Sequence, residues 1–266
     1  MAVLIPQKVE QVLFAYENEL KCTFNNKIFG VYIYNSVTLG NFDDSKSDID
    51  FLTIINEDFD DVDLKKLKLI HQKLLNAYKY ASKMEGMYIR IDKVGKGNDE
   101  IPPYVYFSNK KLHEYGYYDI NSVTWWMLRN YGVAIKSPSI SNLQLNIEWK
   151  NVITNMNYNI NCYWKRKLEN KFIFITDYWI EFSILTLCRI LYTFENNKIT
   201  SKTEAAKFAA NMMVNEKYKM IISEALRIRT GASKKSLYKG RVDRLRDARD
   251  FVENIIIYCN DKYNLI

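Results

Sequence analysis

Two aspartates one residue apart, Asp48 and Asp50, lead into the apolar run FLTII within the segment YIYNSVTLGNFDDSKSDIDFLT (32–53). On a strand, residues two apart point to one face, roughly 7 Å apart along the chain. Two carboxylates so placed can share one Mg²⁺, an ion that accepts one or two carboxylates and completes its shell with substrate phosphates. A DxD also arises by chance in solvated loops, but such a loop has no need of the apolar residues after Asp50. Upstream, Ser36 stands at a strand-to-turn junction followed by Thr38 and Gly40, where hydroxyls and backbone N–H groups can hold phosphates. Taken alone, it reads equally well as an ordinary Asn-Ser turn. A third carboxylate, Glu85, opens MEGMYIRI beside Gly86, whose bare backbone lets another backbone or a ligand approach.

Ser36, Asp48, Asp50 and Glu85 together describe a phosphate turn and three carboxylates on adjacent strands. That set suits metal-assisted nucleotidyl transfer. Two carboxylates hold Mg²⁺ on the phosphates, and the third takes a proton from an attacking hydroxyl or binds a second metal. No GxxxxGK[ST] loop and no Cys/His pairing competes with this chemistry.

The elements that must carry these residues follow from the patterning. GVYIY (30–34) and DIDFLTII (48–55) are strands around a polar turn. Residues 63–82 repeat apolar side chains at helical spacing (Leu67, Ile70, Leu74, Leu75, Tyr78), and MYIRI (87–91) is a third strand. Residues 93–103, with two glycines and two prolines, form a loop, and a helix runs from an Asp119 cap to a Gly132 stop. KSPSISNL (136–143) is a linker, and beyond it the pattern is helical to residue 266. The expected fold is α+β: an α/β domain over 1–143 followed by a helical domain over 144–266.

Bulk composition bounds the partners. The 266 residues are 48% hydrophobic and 14% aromatic, ample for a buried core. The net charge of +7 divides between an acidic stretch at 41–63, suited to a metal, and a basic one at 217–249, suited to a polyanion, a nucleotide or simply solvent. Cys22, Cys162, Cys188 and Cys259 lie far apart without a CxxC, so reduced thiols and no zinc site are expected. The first twenty residues look like an amphipathic helix rather than a leader. The longest apolar stretch, 172–194, contains Asp177, Glu181 and Arg189, which suit a buried helix better than a bilayer. A cytoplasmic monomer is expected.

At this level of detail the chain resembles the nucleotidyltransferase superfamily, whose signature is a GS turn followed by DxD. More narrowly it resembles the aminoglycoside adenylyltransferases that modify streptomycin or spectinomycin at the 3″ or 9 hydroxyl. YNSVTLGNFDDSKSDID and MEGMYIRI carry the likeness in the first half, and LTLCRILYTFENNKITSKTEAAKFA (185–209) in the second. The resemblance implies a nucleotidyltransferase-type domain with a mixed sheet over 1–143, and over 144–266 a helical bundle that completes the nucleotide and acceptor sites. It implies that Asp48 and Asp50 bind Mg²⁺ with ATP, that Glu85 is the catalytic base, and that Arg189 and Lys202 reach the nucleotide. Arg189 fits physically, because an Arg within an apolar helix is costly unless it meets an anion; pairing with Asp177 or Glu181 would also satisfy it. Asn35 departs from the family by standing where Gly is usual.

The acceptor implied is small, cationic and rich in hydroxyls, to be held by acids and aromatic faces. Asp177 and Glu181, one helical turn apart, are the substrate-binding candidates. Trp179, Trp125 and Trp126 are weaker ones, better explained as core. A lincosamide, a protein side chain or an RNA end are other acceptors for the same chemistry, and a non-catalytic, antitoxin-like nucleotide module is the reading from another class.

Overall fold

The computed structural model describes residues 5–265 and divides them at Val152 into two compact units. The first unit is built on a six-stranded mixed sheet. In chain order it comprises α1 (Gln7–Phe24), β1 (Ile28–Ile33), β2 (Ile49–Ile55), α2 (Asp61–Ala77), β3 (Met84–Arg90), β4 (Tyr104–Ser108), β5 (Lys111–Gly116), α3 (Ser122–Tyr131) and β6 (Val133–Ile135). Residues 1–4 of the expected N-terminal helix lie outside the described residues. The strand order is β5-β4-β3-β2-β1-β6, with β2 and β3 parallel and every other neighbouring pair antiparallel.

The parallel pair needs a crossover, and α2 provides it. Its start is fixed by a capping box: Asp60 Oδ1 accepts from the N–H groups of Val62 and Asp63, and Asp63 Oδ2 accepts from the Asp60 N–H. Alternation along β2 and β3 then sorts the side chains. Phe51, Thr53 and Tyr88 face a core shared with α1 and α2, whereas Asp50, Leu52, Glu85 and Met87 face the other way. On the helix side a buried polar chain runs through the core. Tyr16 Oη bonds Thr53 Oγ1 at 2.7 Å and donates to Tyr88 Oη at 2.8 Å, which meets His71 Nε2 at 2.6 Å. Burial drives the His71 pKa down to about 3, so this imidazole is neutral and stacks on Phe107 at 3.8 Å.

The loop expected over 93–103 is present, but three strands lie beyond those expected. β4 and β5 form a hairpin through Asn109 and Lys110, both at positive φ (50° and 61°), as a two-residue turn demands. β6 is a short edge strand on β1. The stretch 136–143 lies within the first unit as an irregular segment ending in a 3-10 turn, Ile140–Leu143.

The chain passes between units within α4 (Trp149–Tyr158), which continues through a π-helical segment, Asn159–Trp164, into α5 (Lys165–Glu169). The second unit is all helical: α6 (Asp177–Asn196) packs against α7 (Lys202–Met212), α8 (Glu216–Thr230) and α9 (Arg241–Tyr263). Ile184, Leu187, Cys188 and Leu191 of α6 are fully buried. No helix among the described residues is long and apolar enough to cross a membrane.

Candidate active site

Asp50 and Glu85 are partners in the parallel register of β2 and β3, so their carboxylates sit side by side on one face of the sheet. Gly86 makes this pairing tight: a Cβ there would lie 2.1 Å from the carbonyl oxygen of Phe51 on the neighbouring strand. Asp48 precedes β2 by one residue, and its carbonyl accepts from Ser36 Oγ at 3.2 Å. Ser36 therefore buttresses the start of the acidic strand. The intervening loop is held by its own polar groups, with Asp43 Oδ1 accepting from the N–H groups of Ser45 (2.8 Å) and Lys46 (3.0 Å).

Asn35 has φ 61°, the left-handed conformation that glycine adopts most readily and that Asn tolerates better than most side chains. Its side chain also hydrogen-bonds Asp50. The departure at this position thus keeps the turn and adds a donor to the site.

Burial, followed by the nearby carboxylates of Asp119 and Asp48, pushes the Asp50 pKa up to about 8. The Asn35 hydrogen bond opposes the rise, and Glu85 adds to it. Three other carboxyl groups thus crowd Asp50 at this end of the sheet and oppose its ionisation, which a divalent cation and its phosphates would relieve. Among the described residues, no group of three or more His, Cys, Asp or Glu forms a ready-made ion cage. The pair Asp48 and Asp50 nevertheless fits Mg²⁺, which is commonly held by one or two carboxylates with the remaining positions left to water and phosphate. If a third acid serves the metal, Glu85 or Asp119 must move toward it.

Asp119 and Tyr118 are additions that the motifs did not announce. The cap of α3 is Asn121, whose Oδ1 accepts from the N–H groups of Val123 (2.9 Å) and Thr124 (3.1 Å). Asp119 lies outside that role, close enough to act on Asp50. The only available signal was DINS itself, in which two residues could each cap. Tyr118 Oη donates to Glu85 Oε2, and the N–H of Asn109 donates to Glu85 Oε1 at 3.2 Å.

In the second unit, Asp177 opens α6 behind its Thr176 cap, and Glu181 follows one turn later. Both are in ion pairs: Asp177 Oδ1 lies 2.6 Å from Arg244 Nη1, and Glu181 Oε1 lies 3.0 Å from Arg229 Nη1. The Asp177 side chain is still 59% exposed, that of Glu181 only 15%. Arg244 also reaches the fully buried Glu224, which accepts from Arg227, Ser236 and the Leu237 N–H. Burial alone would raise the Glu224 pKa, yet these donors bring it down to about 2. Much of the basic stretch at 217–249 is therefore matched by acids, Lys217 with Asp250 and Arg246 with Asp243 included. Arg189 is half-buried on α6, and Lys202 begins α7 with its Nζ 5.7 Å from the Phe182 ring centroid. Of the three weaker candidates, Trp125 is buried, while Trp126 packs edge-on to Trp149 and Trp179 to Phe182. Those contacts account for them as packing residues.

Residues 163–254, all within the second unit, match the family model of the aminoglycoside adenylyltransferase C-terminal domain. The helical unit is thus similar to the C-terminal domain of that family. The resemblance seen in the motifs of the sequence is thereby shown, and with the fold it supports an enzyme of nucleotidyltransferase type. Among solved structures, the chain is similar to the spectinomycin adenyltransferase AAD(9) from Enterococcus faecialis with ATP and spectinomycin. That likeness has a TM-score of 0.63 at 18% identity and covers 94% of this chain and 97% of that one. It shows the fold, the expected mixed sheet followed by helices. A toxin-antitoxin structure with AMP-PNP overlaps at a TM-score of 0.30 and 12% identity, over 58% of this chain and 90% of that one, too weakly to bear on the fold. No curated protein matches the sequence.

Proposed function

We propose that the chain transfers AMP from ATP to a hydroxyl of an aminoglycoside or aminocyclitol antibiotic, with spectinomycin the first candidate and streptomycin the second. The observation that carries this reading is the register pair Asp50 and Glu85 with Asp48 beside it, in a chain whose helical unit matches the adenylyltransferase family. The ligands of the similar AAD(9) structure, ATP and spectinomycin, support the choice of substrates.

Glu85 takes the proton from the acceptor hydroxyl, whose oxygen attacks the α-phosphorus of ATP. The bond from the α-phosphorus to the bridging oxygen breaks, and pyrophosphate leaves. Asp48 and Asp50 would hold Mg²⁺, which when bound supplies neutralisation of phosphate charge. Ser36 and the Asn35 turn shape the phosphate-facing loop, and Arg189 and Lys202 provide cations to the nucleotide.

Asp177, with most of its side chain exposed, is the better placed acid for a cationic acceptor. Glu181 would have to exchange Arg229 for the antibiotic's ammonium group. A cytoplasmic monomer suits an enzyme that draws on cellular ATP.

The test is pyrophosphate release from ATP and Mg²⁺ against spectinomycin, streptomycin, other aminoglycosides and lincomycin, with Glu85→Gln as control. Release with one acceptor and none in the control supports reaction and base together. ATP binding with silence across the panel turns the reading toward another acceptor or a non-catalytic nucleotide module.

A further inference from the structure

We propose that Tyr118 is a positioning residue for Glu85, part of a clamp by which the β4–β5 hairpin fixes the carboxylate from both of its oxygens. The inference rests on the reading of Glu85 as the base. The hairpin supplies one donor from its turn, the Asn109 N–H on Oε1, and the segment just after β5 supplies the other, the Tyr118 hydroxyl on Oε2. A carboxylate held by one donor can swing about its terminal torsion, which is broad and shallow; one held by two cannot.

Tyr118 is itself fixed on three sides. Its ring stacks on Tyr106 of β4 (5.1 Å between centroids, 10° between planes), and Tyr106 stacks on His113 of β5 (4.4 Å, 6°). Its N–H donates to Tyr104 Oη at 2.8 Å, and its carbonyl accepts from Asn98 Nδ2 at 3.3 Å. Tyr104 Oη in turn donates to Asn98 Oδ1 at 2.9 Å. The phenol is thus brought to Glu85 by a connection pinned against the strands beside it, which is what a site requires to hold a reacting group in place. Burial, followed by the accepting Glu85 carboxylate, raises the Tyr118 pKa, so the phenol stays protonated and remains a donor.

The geometry provides a reporter that does not depend on activity. Ser108 and Lys111 close the two-residue turn, so the Asn109 amide has no partner in the ladder and its protection comes from Glu85. The experiment compares the full-length wild type with Tyr118→Phe, which keeps the ring stack, and with Tyr106→Leu, which removes the ring behind it. Glu85→Ala sets the unprotected limit. Amide exchange at Asn109 is measured by NMR, and pyrophosphate release with ATP, Mg²⁺ and spectinomycin gives kcat and KM.

The expected result for Tyr118→Phe is faster Asn109 exchange and a kcat lower by about 10- to 100-fold, the scale of one lost hydrogen bond to a charged group, with KM for ATP little changed. Tyr106→Leu should move both readouts the same way by less. Wild-type exchange in Tyr118→Phe overturns the proposal, as does a rise in KM at constant kcat. If the wild type transfers AMP to no acceptor while Tyr118→Phe still frees Asn109, the functional reading fails and the clamp stands.

Discussion

Asp50 and Glu224 are carboxylates partly and fully withdrawn from water, one in each unit, and their pKa values are displaced in opposite directions, to about 8 and about 2. The difference lies in their surroundings. Glu224 is buried among Arg227, Arg244, Ser236 and a backbone N–H, so its charge is met from within the protein. Asp50 is half-buried among Asp119, Asp48 and Glu85, with one amide side chain to offset them. A folded chain tolerates the first arrangement indefinitely. The second holds crowding that a ligand can discharge, and this favours the acidic end of the sheet as the proposed reacting site and the arginine cluster as a structural one.

The largest expected effect lies on the reactive side. Glu85→Gln lowers kcat by about 10²- to 10⁴-fold, the usual worth of a general base, while calorimetry still shows ATP binding. Asp48→Asn instead weakens Mg²⁺-dependent ATP binding in the same titration.

The structural side answers in stability. Glu224→Gln leaves Arg244 and Arg227 short of their counter-charge and should cost about 3–5 kcal/mol in denaturant unfolding. Asp50→Asn, which removes a carboxyl already crowded by others, should leave metal-free stability unchanged or higher. Equal losses in the two variants would erase the contrast between the two carboxylates.

Acid titration sharpens it further. The Glu224 pKa is lowered from 4.5 to about 2 on folding, so its contribution is complete above pH 4.5 and is lost as pH falls toward 2. A denaturant midpoint followed over that window should fall in the wild type, and part of that slope should be missing in Glu224→Gln. The smallest effect is that of Mg²⁺ alone. At ten times its Kd it should stabilise the wild type by about 1.4 kcal/mol, and Asp48→Asn should reduce that gain.

What the sequence made legible was whatever local pattern controls. β1, β2 and β3 announce themselves as short apolar runs between turns, and the spacing of Asp48 and Asp50 means something only on a strand. β5 escaped because KLHEYG is largely exposed and has no apolar alternation, and β6 because three residues of edge strand take their conformation from β1. Asp119 and Tyr118 were hidden for a different reason. They lie on a connection after β5, and their proximity to Asp50 and Glu85 is set by sheet order rather than by spacing along the chain. Asp177 and Glu181 were found by their helical spacing, but their partners, Arg244 and Arg229, come from helices 67 and 48 residues onward, beyond any local pattern.

Gly86 gives the pair Asp50 and Glu85 a kind of mutational insulation. The atoms that forbid a side chain at position 86 are the main-chain oxygen and the ring of Phe51, so the close approach of the two strands there depends on a bare glycine. Volume changes farther into the helix-facing core, at Leu67 or Leu74 of α2, can alter stability without re-spacing the carboxylates. One methyl group added at position 86 would do the reverse, leaving the core composition intact while prying apart the two groups on which the proposed chemistry depends.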